Sequence, residues 1–485
     1  MITDNRIRLE SLKNKVMGAD EAALLVKKGM VIGISGFTLA GNPKVVPSAI
    51  AKRAESGEEL ALTLITGASV GDEVDGVLTR SGALARRYPY QTNDSLRNAA
   101  NQGKVAYVDM HLSQVPFYIK QGYFGKLNLA IVEAVAIDEK GNIIPSSSLG
   151  CSNVVVEYAE KVIVEINTSQ PLELEGIHDV FSPKRIPNTE PIPITSAKDR
   201  AGLPYIKCDP AKIAAIVYTD IPDNNRSVPP LDADSIAMAK NLIVFLEKEV
   251  AAGRLPEHLP PLQSGVGMVA NAILGGLKES RFRDLNVYSE VLQDSVLDLL
   301  DSGTVSFACS TALTISPERR VSFYKDFGKY KDKIMLRPME ISNSPEVIRR
   351  LGVIAINTAL EADLAGNVNS THVNGCRLMN GIGGSGDFAR NASVTIFTTQ
   401  STAKNGEISC IVPYVSHIDH TEHDVQIIIT EQGYADLRGL TAWERAEKLI
   451  ENCAHPKFRK ELHECVKKLL ETMPHKHNIP LGGWK

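Results

Sequence analysis

Two patterns of apolar residues alternate along the chain. Short, nearly continuous apolar runs occur at MVIGISGF (30–37), LALTLITGAS (60–69), LNLAIVEAVAI (127–137) and KVIVEIN (161–167). They return at LNVYSE (285–290), GVIAIN (352–357), SVTIFTT (393–399) and VQIIIT (425–430). Each has strand length, and the segments between them have helical spacing. Continuous rather than alternating apolar strands, separated by helices, predict α/β layers around mostly parallel sheets.

The pattern breaks at YTDIPDNNRSVPPLDADS (218–235), where Pro, Asn and Asp favour turns and exposed linker. The following IAMAKNLIVFLEKEVAAG predicts a helix capped by Asp234 or Ser235 and stopped by Gly253. A domain boundary is therefore expected there, between 1–225 and 226–485. The halves also echo each other. DEKGNI (138–143) resembles DLAGNV (363–368), Ser35-Gly36 meets Ser264-Gly265 near the same offset, and LTLIT meets LNVYSE. Three matches in one order predict two similarly built open α/β domains. On this alignment the first-half counterpart of Glu290 is Ile65 or Thr66.

Glu290 sits where the strand LNVY hands over towards VLQDSVLDLLDSG, a helical pattern stopping at Gly303. One reading is a first-turn acid that stabilises a helix dipole by about 0.3–1 kcal/mol. The other is a reactive carboxylate presented at the carboxyl edge of a sheet, where open α/β folds bind ligands. Two glycine-rich segments lie nearby in sequence: QSGVGMVANAIL (263–274), a small-residue turn entering a helix, and MNGIGGSGDFARNA (379–392). Unobstructed backbone N–H groups suit a phosphate or a developing oxyanion. Gly381, Gly383 and Gly386 satisfy G-x-G-x-x-G, but neither the preceding strand nor the long following helix of a dinucleotide site is predicted. No G-x-x-x-x-G-K-[ST] occurs in either loop, so neither NAD nor ATP is expected.

Composition narrows the classes. The 485 residues carry a net charge of −4 and are 43% hydrophobic and 23% charged. That excludes a strongly basic nucleic-acid or membrane-surface binder. The polar start, MITDNRIRLESLKNK, is unlike a secretory signal, and no apolar run reaches membrane-spanning length. Seven scattered cysteines without a C-x-x-C pair read as reduced, mostly buried thiols in a cytoplasmic protein.

Taken together, LQSGVG, YSEVLQDSV, ISNSPEVIRRLG, MNGIGGSGDF and TEQGYADLRGL resemble a class I coenzyme A transferase. More narrowly, the chain is similar to the acetyl-CoA hydrolase/transferase group, which includes succinyl-CoA:acetate and propionyl-CoA:succinate CoA-transferases. SGFTLAGNPK and LITGAS extend the resemblance into the first half, so it covers nearly the full length. The resemblance implies two related α/β domains in one subunit, a homodimer, and acyl-CoA and a short carboxylic acid as substrates. It implies no metal and no nucleotide cofactor. By resemblance Glu290 is the nucleophile, and the backbones of Val266 and Gly384 are the oxyanion donors. Gly265, Val266, Gly267, Met268 and Val269 form the coenzyme A loop, with Asn380, Gly384 and Lys404 as further contacts. Asn343 lies near the acyl group, and Ser69 and Glu431 support the glutamate. Met268 stands where relatives usually carry asparagine, which weakens the transfer of any side-chain contact there, while its backbone can still serve. The tail after His475 looks short.

An ordinary glutamate, with a pKa of about 4.3, is already a carboxylate nucleophile at neutral pH and needs no base. Attack on a thioester gives a mixed anhydride and coenzyme A thiolate, and the thiolate then attacks the glutamyl carbonyl to give a glutamyl-CoA thioester. Rival readings are an acyl-CoA hydrolase on the same scaffold and a non-enzymatic acyl-CoA sensor. HIDHTEHD (417–424) gathers imidazoles and carboxylates of zinc-ligand type, but Pro413 before it and a strand after it favour an exposed polar loop. Arg349-Arg350 are equally suited to an anion or to a charged helix surface. His475 and His477 are expected to be inert.

Overall fold

The computed structural model describes residues 5–187, 189–225, 227, 231–265 and 267–472. In its first half the strands are β1 (Val31–Ile34), β2 (Leu62–Thr66), β3 (Leu84–Tyr88), β4 (Ala106–Tyr107), β5 (Leu129–Ile137), β6 (Ile143–Pro145), β7 (Lys161–Asn167) and β8 (Ile213–Thr219). They form one sheet in the order β4-β3-β2-β1-β5-β7-β8, with β6 hairpinned onto β5. All neighbours along that order run parallel, and only β6 is antiparallel.

The second half begins with β9 (Leu262–Ser264), β10 (Leu285–Tyr288), β11 (Val291–Leu292), β12 (Val305–Ser310), β13 (Ala312–Leu313), β14 (Ile334–Leu336) and β15 (Ile354–Thr358). Short ribbons follow: β16 (Glu361–Asp363), β17 (Val368–Asn369), β18 (His372–Val373) and β19 (Arg377–Leu378). The chain then adds β20 (Val394–Thr398), β21 (Thr402–Ala403), β22 (Ile408–Ser409), β23 (Ile411–Val412), β24 (Ile427–Thr430) and β25 (Gly433–Asp436). The second sheet runs β14-β12-β10-β9-β15-β20-β24-β25. Its first seven positions repeat the order of the first sheet strand for strand, so the expected α/β class with similarly built parallel sheets is what the chain adopts. The echo at Asp138 and Asp363 is a shared turn. Each carboxylate accepts from backbone N–H groups up to four residues on and from an asparagine side chain, and Gly141 and Gly366 supply the left-handed backbone.

Register corrects one alignment. With Ser35-Gly36 set on Ser264-Gly265, Leu262 corresponds to Gly33. Gly33 pairs with Ile65 and Leu262 with Val287. Glu290, three residues beyond Val287, therefore corresponds to Ala68 and not to Ile65 or Thr66, because strand pairing sets the equivalence and local sequence identity does not.

The 19-residue helix after the linker spans Ala233–Ala251, and its cap is Asp232, which accepts from the Ser235 N–H at 2.7 Å. Asp234 and Ser235 instead lie inside its first turn. The linker is also less exposed than its composition predicts, since Asp223 and Asn225 are buried.

By packing, the chain divides into two units. One comprises residues up to 227 with 288–294 and 307–347, and the other 228–287, 295–306 and 348 onwards. The segment bearing Glu290 thus packs with the unit built mainly from the first half, while a boundary at 225/226 stays a proposal about chain order. The first unit has a core of Ile32, Ile34, Leu64, Ile131, Ile163 and Val217. The second centres on Phe397, Ile411, Ile428, Leu449 and Ile450. Each such aliphatic or aromatic side chain stabilises the fold by about 1.5–3 kcal/mol when fully buried. Among the described residues no helix is long and apolar enough to cross a membrane. Among the described residues none of the seven cysteines forms a disulfide, and Cys151, Cys309, Cys410 and Cys453 are buried.

Candidate active site

Strand β10 ends at Tyr288, β11 starts at Val291, and Glu290 occupies the break between them. The next helix begins only at Asp294, whose carboxylate accepts from the Ser316 N–H at 2.9 Å. Glu290 is therefore neither an N-cap nor a first-turn acid. Its carbonyl accepts from the Thr311 and Ala312 N–H groups at 3.0 and 3.2 Å, which pins the backbone. Its partly buried carboxylate accepts from Asn343 Nδ2 at 2.8 Å. Asn343 is itself fully buried at the end of the short helix Met339–Ser342. The hydroxyl of buried Tyr288 donates to the Ile341 carbonyl and ties β10 to that helix. Burial raises the Tyr288 pKa well above its ordinary range, so it stays a neutral donor.

The floor beneath Glu290 comes from the first half of the chain. Leu149 N–H donates to the Thr311 carbonyl and Leu313 N–H to the Ser147 carbonyl, both at 2.9 Å, while Gly150 N–H reaches Thr311 Oγ1 at 2.9 Å. Gly36, Gly67 and Gly150 meet behind this ribbon. A Cβ on Gly67 would lie 2.9 Å from Gly150 Cα and 3.0 Å from the Gly36 carbonyl oxygen. Ser69, two residues past Gly67, is buried, and its carbonyl accepts from the Leu39 N–H.

The sequence reading missed a buried ion network under Ser146–Gly150. Lys44 Nζ lies 2.9 Å from Asp223 Oδ1 and 3.0 Å from Glu133 Oε2, with all three side chains essentially inaccessible. Ser146 Oγ donates to Glu133 at 2.6 Å, and Ser147 Oγ donates to Asp223. Burial opposes charge on Lys44, yet Asp223 and Glu133 outweigh it and its pKa rises. Burial pushes the Glu133 carboxyl up to about 7 against the pull of Lys44. At Asp223 the same burial is overcome by Lys44 and by donated hydrogen bonds, and its pKa falls. A signal was present, because Glu133 interrupts the otherwise apolar LNLAIVEAVAI and a charge on a strand buried on both faces demands partners.

The other sequence-predicted site residues, apart from Val266, belong to the second unit. Gly265 follows β9, and its N–H is committed to the Ile356 carbonyl at 3.1 Å. Val266 lies outside the described residues. Gly267 adopts a φ of +114°, a conformation suited to glycine, and caps the helix Met268–Glu279. Met268 and Val269 form the first turn of that helix, where N–H groups lack intrahelical acceptors. Asn380 is partly buried just beyond β19. Gly384 is buried and precedes the five-residue helix Ser385–Ala389, and among the described residues none accepts from its N–H. Lys404 is exposed in the tip of the β21–β22 hairpin at a φ of +48°. Glu431 follows β24 and holds that hairpin at its base, accepting from the Ser401 N–H at 2.9 Å, from Ser401 Oγ and from Gln432 Nε2. Burial opposes its charge, but these donors prevail and lower its pKa.

The expected loop at HIDHTEHD is present, with Ile418, Thr421 and His423 exposed, but its exposure is corrected at one residue. His420 is only 2% exposed, with its ring against Phe397 at 4.7 Å and Nε2 3.0 Å from Ser385 Oγ. Asp419 accepts from the Ser370 N–H and from Thr371 Oγ1. The pairing of His420 with Val368 in both directions draws the segment inward, which local polarity could not reveal. Among the described residues no cluster of three or more His, Cys, Asp or Glu side chains is arranged to hold a metal.

Comparison with known proteins places the chain in a family. Residues 1–218 match the acetyl-CoA hydrolase/transferase N-terminal domain, and residues 321–466 match the C-terminal domain of the same name. The chain belongs to the acetyl-CoA hydrolase/transferase family and is an enzyme of it. It is 53% identical to a succinyl-CoA:acetate CoA-transferase of Clostridium kluyveri, over 96% of this chain and 86% of that one. It is 44% identical to a propanoyl-CoA:succinate CoA transferase of Escherichia coli, covering 95% and 94% of the two chains. An acetyl-CoA hydrolase of Yarrowia lipolytica is 41% identical, over 98% and 95%. Among solved structures, RipA from Yersinia pestis matches with a TM-score of 0.74 at 23% identity, covering 94% of this chain and 97% of that one. That likeness carries the fold alone.

Proposed function

We propose that the protein is an acyl-CoA:carboxylate CoA-transferase that moves coenzyme A between small acids, with succinyl-CoA and acetate as the leading pair. The observation that carries this reading is Glu290, held by the neutral Asn343 amide at 2.8 Å in a break between strands. A neutral donor orients a carboxylate without cancelling its charge, which is what a carboxylate nucleophile requires. The 53% identity to a succinyl-CoA:acetate transferase supports the choice of acids.

In this mechanism a carboxylate oxygen of Glu290 attacks the thioester carbonyl, and the C–S bond breaks to release coenzyme A thiolate and leave a mixed anhydride. The thiolate attacks the glutamyl carbonyl of that anhydride, expelling the first acid as its carboxylate and leaving a glutamyl-CoA thioester. The second carboxylate attacks this thioester, and coenzyme A thiolate then takes its acyl group, restoring Glu290. Every step replaces one acyl bond by another, so neither oxidant nor ATP is consumed. Each addition passes through an oxyanion, for which the Val266 and Gly384 N–H groups are the proposed donors; one good donor is worth about 3–4 kcal/mol of barrier. Gly265, Gly267, Met268, Val269, Asn380 and Lys404 are the proposed coenzyme A contacts, and Ser69 and Glu431 the proposed supports. By family resemblance the same reading expects a cytoplasmic homodimer.

A second reading, acyl-CoA hydrolysis, is favoured by relatives such as the Yarrowia lipolytica hydrolase. Incubation with succinyl-CoA, with and without acetate, separates the two. Transfer yields acetyl-CoA and succinate in equal amounts only when acetate is present, whereas hydrolysis releases free coenzyme A without it. Borohydride added after acyl-CoA is expected to reduce a thioester at Glu290, and Glu290→Ala to abolish turnover with an unchanged melting temperature. A label mapped to another residue removes the assignment.

A further inference from the structure

His420 belongs to a motif that the proposed chemistry leaves unused, yet it is buried and held through both backbone and ring. Its backbone pairs with Val368 in both directions, at 3.1 Å for its own N–H and 2.8 Å for its carbonyl. Its ring lies against the fully buried Phe397. The one exchangeable proton of Ser385 Oγ goes to the Ile382 carbonyl at 2.8 Å. The same oxygen lies 3.0 Å from His420 Nε2, within hydrogen-bond distance.

The loop so gripped is Gly381-Ile382-Gly383-Gly384, with Gly383 at a φ of +59° and Gly384 at −91°. Consecutive glycines have the largest backbone freedom of any residues and no side chains by which packing can fix them. Ser385 is the first polar side chain after the pair, and its hydroxyl closes the turn back onto Ile382. A rigid hydrogen-bond partner on that hydroxyl fixes the turn, and with it the direction of the Gly384 N–H.

We propose that His420 is a positioning residue for the glycine loop, acting through Ser385 Oγ to aim the Gly384 N–H. The inference rests on the reading of Gly384 as an oxyanion donor. It assigns His420 no contact with substrate.

Three full-length variants test it. His420→Phe keeps a ring against Phe397 and removes the hydrogen-bonding nitrogen, His420→Gln restores a hydrogen-bonding group, and Ser385→Ala removes the hydroxyl. Expected for His420→Phe and Ser385→Ala is a fall in kcat of about ten- to a hundredfold. The KM for acyl-CoA should stay within about threefold, because a misaimed donor weakens the transition state and leaves ground-state binding intact. The double variant should be no slower than the slower single one, and His420→Gln should recover most of the rate. A kcat for His420→Phe within about twofold of the parent, a loss confined to KM, or multiplied losses in the double variant each overturn the proposal. Should His420→Phe not fold, Ser385→Ala decides alone, and a parental rate there also overturns it. Borohydride labelling of Glu290 in the parent is read separately. Its failure removes the nucleophile assignment, whereas a labelled Glu290 with fully active loop variants removes only the role given to His420.

Discussion

Asn343 and Glu290 form a pair in which the kind of donor matters as much as its 2.8 Å distance. The Asn343 amide also accepts from Ser342 Oγ at 2.9 Å, which fixes which end faces the glutamate. Asn343→Ala is expected to release the carboxylate and lower kcat by about ten- to a hundredfold, since positioning errors near 1 Å cost up to that factor. Asn343→Asp should do more harm. It sets a second carboxylate against Glu290, where like-charge repulsion displaces the nucleophile and raises the pKa of one of the pair. Steady-state kinetics of both variants check this; equal activity would mean that the amide contributes geometry alone. At this scale Glu290 was legible in sequence through its placement and the resemblance, and Asn343 through the resemblance. The contact between them, across 53 positions of chain, was not.

Among elements, the ribbon beneath Glu290 depends on the glycines at the ends of the first-sheet strands. Gly67 faces two backbone neighbours, Gly150 Cα and the Gly36 carbonyl, which cannot rotate away as a side chain can. Gly67→Ala should therefore displace the Thr66–Ser69 turn and destabilise the protein by about 1–3 kcal/mol, the usual cost of overpacking. Urea unfolding measures it, and a variant as stable as the parent would show that the turn yields freely. Local patterns foresaw half of the strands of the two main sheets. The eight apolar runs marked as strands each contain one, and Gly303 and Gly253 sit just beyond their helices at φ near +70° to +76°. β3, LARRY, escaped notice because two arginines interrupt it. One of them, Arg87, is fully buried against Asp75, with Nε 2.7 Å from Oδ1.

For the molecule as a whole, pH dependence should expose a group the chemistry does not use. His178 is fully buried, its Nε2 2.9 Å from the Ser146 carbonyl and its Nδ1 without a partner among the described residues. Burial lowers its pKa from 6.5 to about 4. The folded-state value lies below the unfolded one, so the unfolded chain binds a proton first as pH falls. The contribution of neutral His178 is therefore present above pH 6.5 and is lost as pH drops through about 4. At pH 5 the linkage amounts to about 2 kcal/mol of lost stability. His178→Gln keeps a donor towards Ser146 and cannot titrate, so its urea midpoint should fall less between pH 7.5 and 5. An unchanged slope would relieve His178 of this role.

What the sequence determined by itself was local and periodic: strand against helix, the repeated α/β plan, the odd position of Glu290, and the glycine loops. These follow from side-chain size, branching and spacing, which act over a few residues. Tertiary structure alone decided which residues share a site. It set Lys44 between Asp223 and Glu133, turned His420 inward onto Ser385, committed the Gly265 amide to β15, and made Ala68 the counterpart of Glu290. Those outcomes depend on strand register and on the need of every buried polar group for a partner, and both are settled between segments far apart in the chain.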